Sequence, residues 1–540
     1  MPLTACRNWR IPKRTKALLL VNVAGLLLVT SFAANAQNVP HLSIALPGGM
    51  PGLPVVTGVA RASNGLSITW DGPSGYYQLF EKPSLRASKW QAVGKDTNLN
   101  RQATVNVPLS NAFFIVSGPS PQYDGAAACA DCHASIVDTV AQTPHSKALT
   151  NALFVADGGA TNDRCLVCHT VGLGLPTGFV NETKTPKLGG VQCENCHGPA
   201  AGHPANPGDV TALPQVELAA TVCGGCHTRA RHPTFDEWQS SAHARVVAGL
   251  NATNQINSCG RCHSGSVRYS LIVGATLPTG DADVGIVCAT CHDPHQTNDY
   301  PAQLRYPVAS TNDYFMSTNG TFASQYNPAI NVCGQCHNDT GASWTNTLSA
   351  PHPSSQYNML LGTVGELGTG LAPYQPGSHA LLITNQCAGC HMQTSSYVSQ
   401  AVPANTGHSF RVESYALCLQ CHPVEPQLLA QDWQAAVSDQ IQEVKFGLDY
   451  WAANSTNAAV KALWTKYGDL AWEYSTPGQL SVGGPGPDAA EQAQIPVNIQ
   501  KARFNMYVVL SDGSLGVHNA LYAVDLLDAA ENWVEDEIGQ

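Results

Sequence analysis

The stretch CADCHASIVDTVAQTPHSKA, residues 129–148, holds two cysteines three positions apart, a histidine directly after the second, and another histidine at position 145. The C-x-x-C-H pattern occurs nine times and uses eighteen of the 19 cysteines; Cys6, near the N-terminus, is the exception. In chain order, motifs 1 to 9 are Cys129/Cys132/His133, Cys165/Cys168/His169, Cys193/Cys196/His197, Cys223/Cys226/His227, Cys259/Cys262/His263, Cys288/Cys291/His292, Cys333/Cys336/His337, Cys387/Cys390/His391 and Cys418/Cys421/His422.

This pattern is the attachment signature of c-type haem. Two thiols bind the two vinyl groups of one porphyrin, and the histidine that follows becomes an axial ligand of the iron. An even number of cysteines in an exported chain also fits a disulfide framework, and C-x-x-C pairs also bind zinc. Neither alternative needs a histidine after every second cysteine, so the motifs predict nine covalent haem c groups, each with one iron.

A second histidine on each iron would give the six-coordinate state suited to electron transfer, whereas a vacant position would admit a small molecule. The chain has 19 histidines, of which ten lie outside the motifs. His41 falls in a Pro/Gly-rich stretch, which leaves nine candidates for nine irons. His203 and His295 lie too close behind their own motifs to reach the opposite face of the same ring, so each is expected to serve a neighbouring haem. The candidate distal ligands are His145, His203, His243, His295, His352, His379, His408 and His518, with His232 as the weakest.

The N-terminus has the pattern of a Sec signal peptide, residues 1–36. Five basic residues precede an apolar run, Ala17–Val29, and small residues allow cleavage after Ala36. An uncleaved anchor is the alternative. Cleavage would take the 27 basic residues to 22 against 38 acidic ones, a formal charge of −16. We therefore expect an exported protein, periplasmic or at the cell surface, without a transmembrane segment after cleavage, and with no nucleic-acid partner.

The remaining chain divides by composition into four parts. A linker, 37–54, precedes alternating short strands over 55–120, which predict a small β-sandwich of the fibronectin type III kind with Trp70 and Trp90 in its core. Residues 121–427 form the predicted nonahaem domain, in which loops and helices surround stacked haems. Residues 428–540 have helical periodicity and predict a C-terminal helical bundle.

Three further stretches support a family resemblance: VQCENCHGPAAGH (191–203), CGGCHTRARHPTFDEWQSSAHARV (223–246) and CAGCHMQ (387–393) with GHSF (407–410) behind it. They resemble the exported multihaem cytochromes of the hydroxylamine oxidoreductase and octahaem reductase superfamily, which includes the tetrahaem cytochromes c of ammonia oxidisers. The tail DGSLGVHNALYAVDLL (512–527) is similar to the C-terminal helices of the larger members. The resemblance implies stacked haem pairs and distal ligands at the eight stronger histidine candidates. All nine motifs end in histidine, whereas some reductases of this group have a lysine at the active-site haem.

Two functions follow from these features. The first is electron transfer along the haems to a redox partner protein or an extracellular acceptor, with a homo-oligomer or filament as a variant. The second is an oxidoreductase that acts on a small nitrogen or sulfur compound at one haem with an open coordination position. The sequence does not assign catalytic residues to the second function.

Overall fold

The computed structural model describes residues 122–539 apart from short gaps, and seven strands between residues 26 and 117. The longest of these gaps are 209–212, 279–283, 297–300 and 306–330. The linker 37–54, His41, Trp90 and most of the predicted signal peptide lie outside the described residues. The chain divides into two units. The first comprises Met1–Thr228 with Pro294–Thr297, and the second comprises Arg229–Asp293 with Asn298–Gln540. Motifs 1 to 4 thus belong to the first unit and motifs 5 to 9 to the second.

The N-terminal strands form two antiparallel sheets, ordered β1-β7-β4-β5 and β2-β3-β6. Ile68 and Trp70 lie two residues apart on β3, and both are buried, as period-two alternation requires. The packing of the two sheets as a sandwich remains a prediction. The strands are β1 Leu26–Val29, β2 Val55–Ala62, β3 Gly65–Asp71, β4 Tyr76–Lys82, β5 Gln91–Asn98, β6 Gln102–Val105 and β7 Ala112–Ser117.

The rest of the first unit consists of short helices joined by loops. A buried carboxylate, Glu194, fixes these loops because it accepts hydrogen bonds from the backbone N–H groups of Asp124, Gly125 and Ala200. The helices are α1 Ala130–Gln142, α2 Ala152–Ala156, α3 Asp163–His169, α4 Cys193–His197, α5 Gly202–Ala205 and α6 Ala220–Gly224.

The second unit begins with a similar run of short helices, none of which exceeds nine residues. Most hold a motif or lie beside one. They are α7 Thr234–Ser240, α8 Thr253–Ser258, α9 Gly260–His263, α10 Gly265–Val273, α11 Cys288–Cys291, α12 Asn331–Gly334, α13 Gln356–Leu361, α14 Ser378–Leu382 and α15 Gln386–His391.

Four longer helices complete the second unit and build its largest apolar core. On the first of them, Val437, Ile441, Val444, Leu448 and Trp451 recur at three- and four-residue spacing and are all buried. The helices are α16 Pro426–Asn454, α17 Ala458–Tyr467, α18 Val497–Asp512 and α19 Ala520–Ile538.

A polar cluster lies inside this core. Arg503, fully buried, donates hydrogen bonds to the backbone carbonyls of Trp472 and Glu473 and to the side chain of Gln492. The buried Glu473 carboxylate accepts hydrogen bonds from Tyr507 and Ser481. These bonds offset the cost of removing the two charges from water.

Within the described part of the chain, no helix is both long and apolar enough to cross a bilayer.

The packing of the C-terminal core predicts a site-dependent loss of stability. Leu526 of α19 is fully buried, so Leu526→Ala should lower the free energy of unfolding by about 2–5 kcal/mol through lost burial and a residual cavity. Leu521 lies on the same helix and is 73% exposed, so Leu521→Ala is the matched control and should change stability little. Denaturant titration followed by circular dichroism measures both. Equal effects of the two variants would contradict the packing of α19.

Candidate haem-binding sites

The nine motifs lie on single helical turns. In motifs 4, 5, 6, 7 and 9 the histidine N–H donates a hydrogen bond to the carbonyl of the first cysteine, with N···O distances of 2.7–3.0 Å. Residues three and four positions apart share one side of a helix, so the closed turn presents both thiols and the imidazole in one direction. This is the geometry that attachment to a porphyrin edge requires.

In the first unit, thiols of different motifs meet. The Cys129 thiol lies within hydrogen-bonding reach of Cys193, and burial together with that contact raises the pKa of Cys129 to about 12. Cys226 makes the same kind of contact with Cys168. Burial and then the nearby Cys223 raise the pKa of Cys196 to about 11. Three pairs of motifs are therefore neighbours in the first unit: motif 1 with motif 3, motif 3 with motif 4, and motif 4 with motif 2.

In the second unit, motif 7 has three neighbours. The Cys336 thiol lies within hydrogen-bonding reach of Cys262 in motif 5, and Cys333 makes the same contact with Cys387 in motif 8. Burial, followed by the effect of Cys333, raises the pKa of Cys291 in motif 6 to about 12.

Motif 8 also has motif 9 as a neighbour. Burial is the main cause of the raised pKa of Cys390 in motif 8, and the nearby Cys418 of motif 9 is the second cause.

All eighteen motif cysteines are thiols rather than disulfides, so the disulfide alternative finds no support.

Four of the predicted attachment residues, Cys132, Cys196, Cys259 and Cys421, have exposed side chains. In each of these motifs the other cysteine is half-buried. The attachment of haem to these four cysteines, as to the other fourteen, stays a prediction that rests on the motifs.

Seven motif histidines each face a histidine from outside the motifs, with ring centroids 5.7–6.3 Å apart. Each outside member is one of the predicted distal ligands. The seven pairs are His145–His227, His197–His295, His243–His337, His263–His352, His292–His408, His379–His422 and His391–His518.

The spacing of these pairs fits a metal ion between the two rings. Metal–imidazole bonds of about 2 Å, added to the distance from each nitrogen to its ring centre, separate the centroids of two opposed imidazoles by about 6 Å. Two histidines opposed across one ion are the axial ligand set of a six-coordinate haem iron. The donor set therefore fits haem iron in seven sites.

Hydrogen bonds at Nδ1 orient six of the paired rings and the ring of the motif 2 histidine, His169. A ring whose Nδ1–H is engaged turns Nε2 toward the metal. The Nδ1 contacts are His169 with the Ala148 carbonyl (2.9 Å), His292 with the Ala302 carbonyl (2.7 Å), His337 with the Gln356 side-chain oxygen (3.0 Å), His379 with the Val517 carbonyl (2.8 Å), His391 with the Phe410 carbonyl (3.0 Å), His408 with the Thr406 carbonyl (2.9 Å) and His518 with the Asp512 carboxylate (2.7 Å).

Burial favours the neutral, metal-binding form of several paired imidazoles. It lowers the pKa of His243 to about 4, with the facing His337 as a second cause. Burial also lowers the pKa of His145 and of His408. His518 differs: burial disfavours its charge, but the Asp512 carboxylate outweighs burial and raises the pKa of His518.

Two motif histidines of the first unit, His133 and His169, face no histidine among the described residues. His133 is exposed, and the His169 ring stacks on Phe154 with centroids 3.9 Å apart. The predicted ligand His203 lies on α5 outside the seven pairs, and its Nδ1 is buried without a hydrogen-bond partner. His232, the weakest candidate, lies in the second unit and also outside the seven pairs.

Large apolar side chains lie uncovered beside the ligands. Leu381 and Leu382, two and three residues after His379, are 54% and 71% exposed, and Leu419 inside motif 9 is 50% exposed. In the first unit, Ile136 and Leu153 are exposed close to motif 1 and motif 2 ligands. A flat apolar porphyrin would cover such side chains, which is a second observation that fits haem.

The comparisons with known proteins identify the same chemistry. The family model for cytochrome c554 and c-prime matches residues 128–198, which hold motifs 1 to 3. Cytochrome c-554 of Nitrosomonas europaea is 30% identical over 104 residues, which cover 16% of this chain and 44% of that protein. The chain is a multihaem c-type cytochrome.

This cytochrome is also similar to the multiheme cytochrome MtrA of Shewanella baltica, with 26% identity over 279 residues that cover 43% of this chain and 77% of that protein. Among solved structures, the outer cell wall cytochrome OcwA has a TM-score of 0.47 and 19% identity, with coverage of 76% of this chain and 99% of the other. The undecaheme cytochrome from the S-layer of Carboxydothermus ferrireducens has a TM-score of 0.40 and 18% identity, with coverage of 89% and 62%.

The multihaem cytochrome is thus related to the cytochromes c554, and it binds haem c covalently. The alignment with cytochrome c-554 spans less than half of that relative's length. Sequence reasoning missed Phe154, Gln356 and Asp512, which contact ligand histidines. Asp512 stands six residues before His518 across a turn, and this local spacing was the one signal in the sequence that could have indicated it.

The histidine pairs predict a spin-state change at one iron. His145→Ala removes the ring that faces His227, so one low-spin haem should become high-spin while the others stay unchanged. Electron paramagnetic resonance and optical spectra of the oxidised protein measure this. Lys147→Ala, two residues further on the same segment, is the control and should leave the spectra as they are. An unaltered spectrum of His145→Ala would show that His145 is not a ligand.

Proposed function

We propose that this cytochrome is an electron carrier with nine haem c groups, each held by one motif. The bound iron supplies one-electron transfer. The chain's part is to hold the sites close together and to fix two histidines at each of at least seven irons. The seven opposed histidine pairs are the observation that supports this function most directly.

The proposed ligands follow from the motifs and the pairs. The eighteen motif cysteines, including the four exposed ones, bind the porphyrins, and the nine motif histidines are the proximal ligands. Seven distal ligands come from the pairs. The eighth predicted ligand, His203, is proposed for a haem of the first unit because its buried Nδ1 lies in that unit without a hydrogen-bond partner.

Rigid ligation favours electron transfer because the coordination need not change with oxidation state. Backbone carbonyls hold the Nδ1 atoms of His292, His379, His391 and His408. The rings therefore keep their orientation whether the iron is oxidised or reduced. A fully ligated iron also leaves no position for a small molecule.

The thiol contacts suggest the order of the sites. In the first unit the sites form one line, motif 1 to motif 3 to motif 4 to motif 2. In the second unit motif 7 is a branch point with motifs 5, 6 and 8 as neighbours, and motif 9 follows motif 8. Electrons that move between motif 5 or 6 and motif 9 would thus share the site of motif 7.

The cellular place and partners are further parts of this proposal. The basic n-region and apolar run at the N-terminus support Sec export to the periplasm or the cell surface. The formal charge of −16 after cleavage favours a redox partner with a basic contact surface, or a cationic extracellular acceptor. We propose the domain at 55–120 as a separate β-sandwich that leaves the haem region free for these partners.

The branch point gives a direct test. His243 faces the motif 7 histidine, His337, and methionine in place of a distal histidine raises the potential of an iron. His243→Met should therefore make the motif 7 site an electron trap and slow electron equilibration across the second unit. His352→Met alters a terminal site, motif 5, and is the matched control.

Partial photoreduction followed by time-resolved absorbance of the haem bands measures this equilibration. Both variants should raise one midpoint potential, but only His243→Met should slow the relaxation. If both variants relax at the same rate as the unaltered protein, electrons do not pass through motif 7 and the proposed route is wrong.

A second candidate function, an oxidoreductase with one open haem, is favoured by the histidine count of the first unit. His133 and His169 both lack a facing histidine among the described residues, and His203 is the one other described histidine of that unit outside the motifs and pairs. Histidines of this unit that the structure describes can therefore complete at most one of these two irons.

Ligand binding separates the two functions. If one site is open, the oxidised protein should show a high-spin signal that shifts when nitrite, hydroxylamine or sulfite is added. His203→Ala should then add a second high-spin haem. A protein whose nine irons are all low-spin and unresponsive to these compounds would exclude the second function.

A further inference from the structure

The Nδ1 contact of His518 differs in charge from the six other Nδ1 contacts described above. Its acceptor is the carboxylate of Asp512, at 2.7 Å, and the Asp512 side chain is 2% exposed. The other six acceptors are backbone carbonyls or the amide oxygen of Gln356, all of them neutral. Among these seven rings, therefore, His518 is the one that shares its proton with an anion.

The structure holds the Asp512 carboxylate firmly. Its second oxygen accepts hydrogen bonds from the backbone N–H and the hydroxyl of Ser514. Asp512 is also the last residue of α18, a helix of 16 residues, so the negative end of the helix dipole adds to its field. The turn continues through Gly513, whose φ of 76° is accessible to glycine at little cost.

A buried anion behind a metal-bound imidazole makes that imidazole a stronger donor to the metal. A stronger donor favours the oxidised, more positive iron over the reduced iron, and burial increases the effect because the charges are less screened. Hydrogen bonding behind an axial ligand is one of the means by which proteins set haem potentials. Asp512 is thus placed to lower one potential relative to its neighbours.

A lower potential at motif 8 matters because of where motif 8 lies among the other sites. His518 faces His391 of motif 8, and motif 8 lies between motif 7 and motif 9. Gln356 connects the two neighbouring sites: its oxygen contacts His337 of motif 7, and its NH₂ lies 3.4 Å from the backbone carbonyl of Asp512. A low potential at motif 8 would separate motif 9 energetically from the rest of the second unit.

We propose that Asp512 is a positioning and potential-setting residue that makes the motif 8 site a low-potential step between motifs 7 and 9. This inference rests on the proposed ligation of one iron by His391 and His518. It assigns to Asp512 an effect on the reduction potential and on the rate at which electrons reach motif 9, and none on haem attachment.

The test compares Asp512→Asn with the unaltered full-length protein in a potentiometric titration followed by optical and electron paramagnetic resonance spectra. Asparagine keeps an acceptor near Nδ1 but removes the charge. The midpoint potential of one haem should rise by about 59 mV. For a one-electron couple this is a change of about tenfold in the preference for the reduced state. Asp512→Glu should restore a value near the original.

Two further variants identify the site and control for net charge. His518→Ala should make one haem high-spin, and the midpoint that disappears with it marks motif 8. Asp449→Asn removes a carboxylate of the same unit that binds Trp472 and Lys445 rather than a histidine, and it should shift no midpoint comparably.

The outcomes separate the inference from the function on which it rests. If His518→Ala leaves all spin states unchanged, the proposed ligation is wrong. If His518→Ala acts as expected but Asp512→Asn moves the marked midpoint no more than Asp449→Asn does, the ligation stands and the role of Asp512 is wrong.

Discussion

Two imidazole rings opposed at a fixed separation are the interaction on which the rest of this structure depends. One ring always comes from a C-x-x-C-H turn, where the helical spacing that aims two thiols also aims the histidine. The other comes from a distant segment, as when His518 meets His391 of motif 8. Each pair therefore brings two remote parts of the chain together at one motif. Ligation of one iron by both rings, as proposed, would give loops with few apolar contacts of their own a fixed arrangement.

The C-terminal helices act on the sites through a few residues. Helix α18 ends at Asp512, whose carboxylate holds His518, and the backbone of Val517 accepts the Nδ1–H of His379. The apolar core of α16, α18 and α19 thus fixes the segment that holds one predicted distal ligand, His518, and orients another, His379. Apolar packing thus holds this end of the second unit in place.

The sequence predicted the nine motifs and the supply of distal histidines because both follow from local patterns and counting. It did not predict which histidine meets which motif, because those pairs join segments as far apart in sequence as His391 and His518. Nor did it predict that Cys132, Cys196, Cys259 and Cys421 are exposed, since exposure depends on what the rest of the chain covers. His203 was a predicted ligand and lies outside the pairs, so its role remains a prediction. Asp512 was missed because its importance comes from a contact in space, which composition and periodicity do not encode.

The most direct test of the account is a spin count of the oxidised protein by magnetic circular dichroism and electron paramagnetic resonance, scaled to the total haem determined chemically. Seven opposed pairs require at least seven low-spin haems with two histidine ligands each, and they allow at most two high-spin haems, at motifs 1 and 2. Three or more high-spin haems would contradict the pairing of histidines across iron.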